Sequence, residues 1–305
     1  MNLNTSVQYN KRWGRLTFIP GLKLSTYSLS AEDASFQDKQ SSFLSKNFHL
    51  AHATTKNLKL MLSYSEGFNA PRVNEVFPSG LHDRGDDFII RDNFFIPNPD
   101  LIHETSQFIE LGFKQNILNE NEELLTLEGS IYRNSVNNFI GFDRIDRSTA
   151  DPINGTTQYV NRPRVRLSGG ELKLKYLYDR FDMSASYTFG RGKDFARNLY
   201  LEDLAANQFQ YNFKYYLDEH GLTLGYLGTQ AQAQNATNPQ TPQRADKTPA
   251  YFIHSIFATK SFKRDWFINA RIDNLTNQNY RRHAAYLAAP GQDIRLSFKY
   301  KVNTI

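Results

Sequence analysis

Along most of this 305-residue chain an apolar side chain recurs at every second position. Phe181, Met183, Ala185, Tyr187 and Phe189 interleave with Asp182, Ser184, Ser186 and Thr188, and Phe209, Tyr211, Phe213 and Tyr215 interleave with Gln208, Gln210, Asn212 and Lys214. The final segment repeats the pattern, with Ile294, Leu296, Phe298 and Tyr300 set against Arg295, Ser297 and Lys299. An extended strand carries such a set on one face, whereas a helix would scatter it around the cylinder. The alternation predicts about thirteen strands, the first near residues 3–9 and the last near 292–302, each with one greasy and one wet face.

The connections decide between a soluble sandwich and a membrane barrel. Short ones are expected at 10–14, 54–57, 117–123, 179–180, 218–221 and 263–265, and long ones at 30–42, 66–104, 143–158, 191–206, 232–249 and 276–291. Short and long alternate without exception, the layout of an outer-membrane barrel with tight periplasmic turns and long extracellular loops. An antiparallel transmembrane β-barrel is therefore the expected fold, with all of residues 1–305 in it. An odd strand count places the amino terminus on the extracellular side, while single-chain bacterial barrels normally have an even number.

Composition narrows this further. The mean hydropathy of −0.58 and the lack of any long apolar run exclude a transmembrane helix, but barrel strands read as moderately polar. With 23 Phe and 17 Tyr, the chain has the aromatic supply that interfacial girdles need. The net charge of +5 is spread along the strands rather than gathered in a stripe with a nucleic-acid-binding signature, so no nucleic-acid partner is expected. No charged and then apolar leader follows Met1. No Gly-x-Ser-x-Gly elbow and no carboxylate pair with a histidine stands out, and Gly190-Arg191-Gly192 lacks a strand-to-helix setting, so no enzyme is expected.

The longest loop holds the candidate chemistry. Gly67-Phe68-Asn69-Ala70-Pro71 opens it, Ile96-Pro97-Asn98-Pro99-Asp100-Leu101 closes it, and His82 lies between, in Phe77-Pro78-Ser79-Gly80-Leu81-His82-Asp83-Arg84-Gly85. Strand alternation stops near Tyr64 and resumes from Thr105. Phe68, Ala70, Pro71, Asn98, Pro99 and Leu101 are expected to shape the loop's entry and exit, because the prolines restrict the backbone and remove donors. Of the other histidines, His103 is placed at the foot of the next strand and His254 on a polar face. His283, with Arg281, Arg282 and Tyr286, forms a last-loop group able to meet a ligand from outside.

The two boxes resemble the FRAP and NPNL boxes that flank a heme-ligating histidine in TonB-dependent outer-membrane receptors for heme and hemoglobin; here they read FNAP and NPDL. The resemblance continues in Leu62-Ser63-Tyr64-Ser65-Glu66-Gly67-Phe68, in Asp273-Asn274-Leu275-Thr276-Asn277-Gln278-Asn279-Tyr280 and in Pro290-Gly291-Gln292-Asp293-Ile294-Arg295. It implies the carboxy-terminal part of a 22-stranded barrel, with roughly nine strands, the plug and the TonB-contacting box upstream of Met1. It further implies His82 as axial ligand to heme iron, Arg84 and Arg91 as contacts to the propionates, heme as transported ligand rather than resident cofactor, and no other metal. Heme or hemoglobin, the TonB system and outer-membrane lipid are the implied partners. The alternatives are a ferric-siderophore receptor, a non-transporting binding barrel and a non-functional remnant.

Overall fold

The computed structural model describes residues 2–30, 38–78, 80–83, 92–120, 122–144, 155–201, 204–236, 247–262, 265–285 and 287–302. The strands are β1 (Asn2–Gln8), β2 (Lys11–Trp13), β3 (Leu16–Leu29), β4 (Lys39–Ala53), β5 (Leu58–Asn69), β6 (Gly80–Asp83), β7 (Asp92–Ile96), β8 (Glu104–Glu120) and β9 (Glu123–Arg144). They continue with β10 (Gly155–Tyr178), β11 (Phe181–Asp194), β12 (Leu199–Tyr200), β13 (Gln208–Leu217), β14 (Leu222–Ala231), β15 (Tyr251–Phe262), β16 (Trp266–Asp273) and β17 (Asp293–Tyr300). One helical turn, α1 (Val73–Val76), precedes β6.

The long strands form one antiparallel meander from β3 through β4, β5, β8, β9, β10, β11, β13, β14, β15 and β16 to β17. Segments β1 and β2 both pair with the other edge of β3 and act as one interrupted strand. Counted this way the meander has thirteen strands, as the alternation predicts. At one end the connections are tight: Asp179, at φ 47°, turns β10 into β11 within two residues. Long loops leave the other end. No register joins β17 to β1 among the described residues, and β17 is exposed on both faces, as expected of an edge strand.

Registers separate the two faces. Leu60, Leu111, Ile131, Leu172, Leu174, Phe213, Leu224, Ile256, Leu296 and Phe298 lie exposed on one face; His49, Ser63, Glu110, Lys114, Glu128, Ser130, Glu171 and Lys173 line a concavity on the other. A face this rich in exposed apolar side chains would aggregate in water and suits hydrocarbon. No helix among the described residues is long and apolar enough to cross a membrane. His254 departs from expectation: it shares the apolar face with Ile256, and the Tyr226 hydroxyl 2.7 Å from its Nδ1 supplies the polar partner that makes this position tolerable.

Among the described residues there is no central core. Buried apolar residues gather instead beneath the long-loop end, in one cluster of Val76 and Leu101 against Leu29, Phe77, Ile140 and Tyr159, and another of Val136, Val165 and Leu201 against Phe139, Leu167 and Leu204. With 22 and 24 residues, β9 and β10 are about twice the 9–11 residues that cross a bilayer, so their upper halves rise beyond it as a wall. The loops fold against that wall.

Candidate functional site

The excursion between β5 and β8 is shorter than the sequence suggests. Strand β5 continues through Glu66, Gly67, Phe68 and Asn69, because these residues still pair with Gln107, Ser106, Thr105 and Glu104 on β8. A Cβ at Gly67 would meet the Ser106 Oγ, which would have to turn away to admit it. The Phe68 ring stacks on Phe43 at 5.6 Å and packs against the His103 ring at 5.0 Å. Pro71, which lacks an amide hydrogen, ends the strand, and its carbonyl accepts from the Tyr27 hydroxyl at 3.2 Å.

A single turn of helix follows. The Arg72 amide donates to the Glu75 carboxylate at 2.8 Å while the Glu75 amide donates to the Arg72 carbonyl at 2.9 Å, so the entry to α1 is closed reciprocally. The Val76 side chain is fully buried against Leu101. The Val76 carbonyl accepts from the Asn98 amide at 2.9 Å, which joins the helix that follows the first box directly to the second.

Asn98 is the knot of this region. Its Nδ2 donates to the Tyr159 carbonyl on β10 at 2.7 Å, its Oδ1 accepts from the Asp100 amide at 3.0 Å, and its own carbonyl accepts from the Leu101 amide at 3.4 Å. Leu101 is 1% exposed, and its carbonyl accepts from Lys39 Nζ at 2.6 Å. Asn161 clamps Ile102 by accepting from its amide at 2.9 Å and donating to its carbonyl at 2.9 Å. Glu104 binds Asn69 Nδ2 at 2.7 Å and the Ile140 amide at 2.6 Å, tying β5, β8 and β9 together. Pro99 is exposed and Ala70 half-buried.

His82 is not on a plain loop. It sits on β6, opposite Asn93 of β7, and β7 in turn runs parallel to the start of β10 along Gly155 to Gln158. Gly80, at φ +101°, makes the bend into β6 that a side-chain-bearing residue would resist. The loop thus leaves the sheet between β5 and β8 and rejoins it on the far side of β10, carrying His82 there. The Pro97 carbonyl accepts from Gln158 Nε2 at 2.9 Å and fastens the return. Arg84 and Arg91 lie outside the described residues.

Two features escaped the sequence. His103 is half-buried: its Nδ1 is 3.3 Å from the Ser41 Oγ, and burial holds its imidazole below the ordinary histidine range. Tyr27, Lys39, Tyr159 and Asn161 are polar strand residues with no local signal that they grip the boxes.

The last long loop folds inward over a second concavity of about 600 Å³, lined by Tyr251, Arg271, Asp273, Tyr280, Arg282 and Arg295 among others. Asn274, at φ 52°, accepts from the Gln278 amide and donates to the Gln278 carbonyl, both at 2.9 Å, so its side chain closes the turn. Asp273 is held by Arg271 at 2.7 Å and by the Ser255 hydroxyl at 2.7 Å. His283 Nδ1 meets the Thr248 Oγ1 at 2.8 Å; burial, and then the nearby Arg281, lower its pKa. Arg281 donates to the Ala285 carbonyl at 3.1 Å, and Tyr286 lies outside the described residues.

A family model described as TonB dependent receptor-like, beta-barrel, matches residues 3–275. The heme/hemopexin utilization protein C of Haemophilus influenzae (strain 86-028NP) is 26% identical over 298 residues, which cover 94% of this chain and 41% of that protein. The hemin receptor of Yersinia pestis is 23% identical over 237 residues, covering 75% of this chain and 33% of its own length. The chain thus spans less than half the length of the curated relatives it matches. Among solved structures, the copper transporter OprC superposes with a TM-score of 0.81 at 17% identity, over 98% of this chain and 47% of that one.

Proposed function

Because the chain belongs to the TonB-dependent receptor-like β-barrel family, we propose that it is the carboxy-terminal part of the barrel of an outer-membrane receptor that takes up heme. The observation that carries this reading is the linkage of the two boxes. Asn98 bonds to the Val76 carbonyl and to β10, so the boxes form one tied base from which the His82 strand extends. Neutral imidazole is a good axial donor to ferric iron. A ligand held on a hydrogen-bonded strand also loses less conformational freedom on binding than one on an open loop.

In this reading His82 coordinates the iron, Arg84 and Arg91 meet the propionates, and hemoglobin is a source of heme. Inward passage draws on the TonB system through a plug that precedes this part of the barrel. The names of relatives that use heme or hemin support the ligand, while a fold neighbour named for copper means that the barrel alone does not choose it.

The test is His82→Ala in the full-length protein, followed by the Soret band of added heme and by growth with heme as iron source. Loss of the axial-ligand signature together with weaker heme binding is the expected result. An unchanged Soret spectrum and affinity would remove His82 from the mechanism.

A further inference from the structure

On the apolar face, just above the greasy band, β9, β10 and β11 carry five cations. Ser168 stands opposite both Arg133 and Arg191, Arg166 opposite Lys193 and Ser135, and Arg164 opposite Asn137. The next rows toward the tight turns, on the same face, are Gly170 with Ile131 and Phe189, Leu172 with Gly129 and Tyr187, and Leu174 with Leu127 and Ala185. From Gly170 to Tyr178, β10 therefore presents the apolar length of about 9–11 residues that a tilted strand needs to cross a bilayer. The cations begin one row beyond it, on the long-loop side.

These cations lack protein anions. None of the five forms an ion pair among the described residues, and the Arg166 Nε is buried without a hydrogen-bond partner. The nearby carboxylates are committed elsewhere: Asp143 and Asp194 hold Arg162 and Arg197. Glu66, on the apolar face but over on β5, accepts from the Lys46 amide at 3.0 Å and the Tyr64 hydroxyl at 2.9 Å. Arg166, Arg164 and Lys193 gather instead around the Phe195 ring, at 4.7, 5.4 and 5.8 Å from its centroid, which holds three like charges in one cluster.

We infer that this sector of the wall, Arg133, Arg164, Arg166, Arg191 and Lys193, is a docking site for the phosphate groups of a glycolipid in the outer leaflet. The inference goes beyond heme uptake and rests on the membrane placement of the barrel. Neighbouring strands are about 4.8 Å apart and alternate residues about 6.6 Å, so the five cations fall within one headgroup's reach. Guanidinium forks match phosphate oxygens in pairs. Acyl chains from the same lipid would lie down the greasy rows of Ile131, Leu172 and Leu174, and Ser135 and Ser168 supply hydroxyl donors between the charges. A free anion would gain only the upper half of this surface.

The test uses the full-length protein in detergent, stripped of lipid and titrated with bisphosphorylated lipid A, with its dephosphorylated counterpart and with inorganic phosphate, bound lipid being counted by native mass spectrometry. The phosphorylated lipid should bind at least about tenfold more tightly than the dephosphorylated one, with affinity falling as salt rises. At about fivefold per cation removed, Arg164→Gln with Arg166→Gln and Lys193→Gln should weaken it about a hundredfold. Arg133→Gln with Arg191→Gln is the independent variant should the first fail to fold, and should cost about 25-fold. Lys173→Gln with Lys175→Gln, away from the patch, should change nothing. Equal binding of both lipids, competition by inorganic phosphate alone, an undiminished affinity in a folded patch variant, or an equal loss in the Lys173 and Lys175 variant would each overturn the inference.

Discussion

Replacing Asn98 with alanine tests whether the boxes work as one tied base. The substitution removes two side-chain hydrogen bonds, from Nδ2 to the Tyr159 carbonyl at 2.7 Å and from the Asp100 amide to Oδ1 at 3.0 Å, while the backbone bonds of residue 98 persist. Two backbone groups then lose their partners beside a buried cluster. A group left unsatisfied there costs about 1–3 kcal/mol, and partial access of water places the pair near the lower half of its summed range, about 2–3 kcal/mol. The β5, β8, β9 and β10 ladders do not depend on Asn98, so the cost falls on docking of the loop and not on the barrel. In hydrogen exchange of the full-length protein, the amides of residues 98 and 100–102 should exchange roughly 30- to 150-fold faster. Amides inside β8 and β9 should keep their rates. Apparent heme affinity should fall by no more than the same factor, since only the docked fraction is competent. Unchanged exchange at 98 and 100–102, or a uniform rise across the sheet, would refute the claim that the loop docks as a separate unit through Asn98.

Three further outcomes follow from the same geometry. Leu101→Ala, at a position 1% exposed, should destabilise loop docking by about 2–5 kcal/mol and open residues 70–103 to protease, whereas Leu111→Ala on the apolar face should leave that protection intact. His103 is held below its ordinary pKa by burial, so the docked state favours the neutral ring. Its stabilisation is therefore full above the undocked value of about 6.5 and declines as pH falls below it; protease resistance of the loop should drop from about pH 7.5 to 5.5, and His103→Gln should flatten that dependence. Gly80→Val meets open space but a forbidden backbone conformation, and should cost about 1–3 kcal/mol, read as lost amide protection across β6 and β7.

The membrane-crossing part of the fold was legible because each strand there must alternate: one side meets hydrocarbon and the other does not. Above the bilayer that constraint lapses. Residues 143–144 and 155–158 of β9 and β10, and 191–194 of β11, are strand despite reading as loop, since their ladders persist where the sequence no longer needs a greasy face. At the opposite end, Ile117 to Glu120 read as part of a turn but continue β8 past a register shift between Asn116 and Leu118. Phe68 and Asn69 were likewise read beyond the strand, because pairing with Thr105 and Glu104 depends on residues that lie 35 or more positions away. Backbone chemistry accounts for Pro71 as a strand stop, because it lacks an amide hydrogen, but it says nothing of the side-chain bonds that Asn98 makes. Nor could the grips by Asn161, Tyr159 and Lys39 be read, because a side-chain bond to a distant carbonyl leaves no periodic trace.

The path of the loop from the β5–β8 gap to the far edge of β10 makes it a crossbar fixed at both ends. Its two attachments are separated by three strands of the wall, so any change in the curvature of β8, β9 and β10 alters the span between them. At the far attachment the β6–β7 pair lies along the start of β10, through Gly155 to Gln158. The position of residue 82 is thereby tied to the wall of β8, β9 and β10 and not to the β5–β8 gap alone.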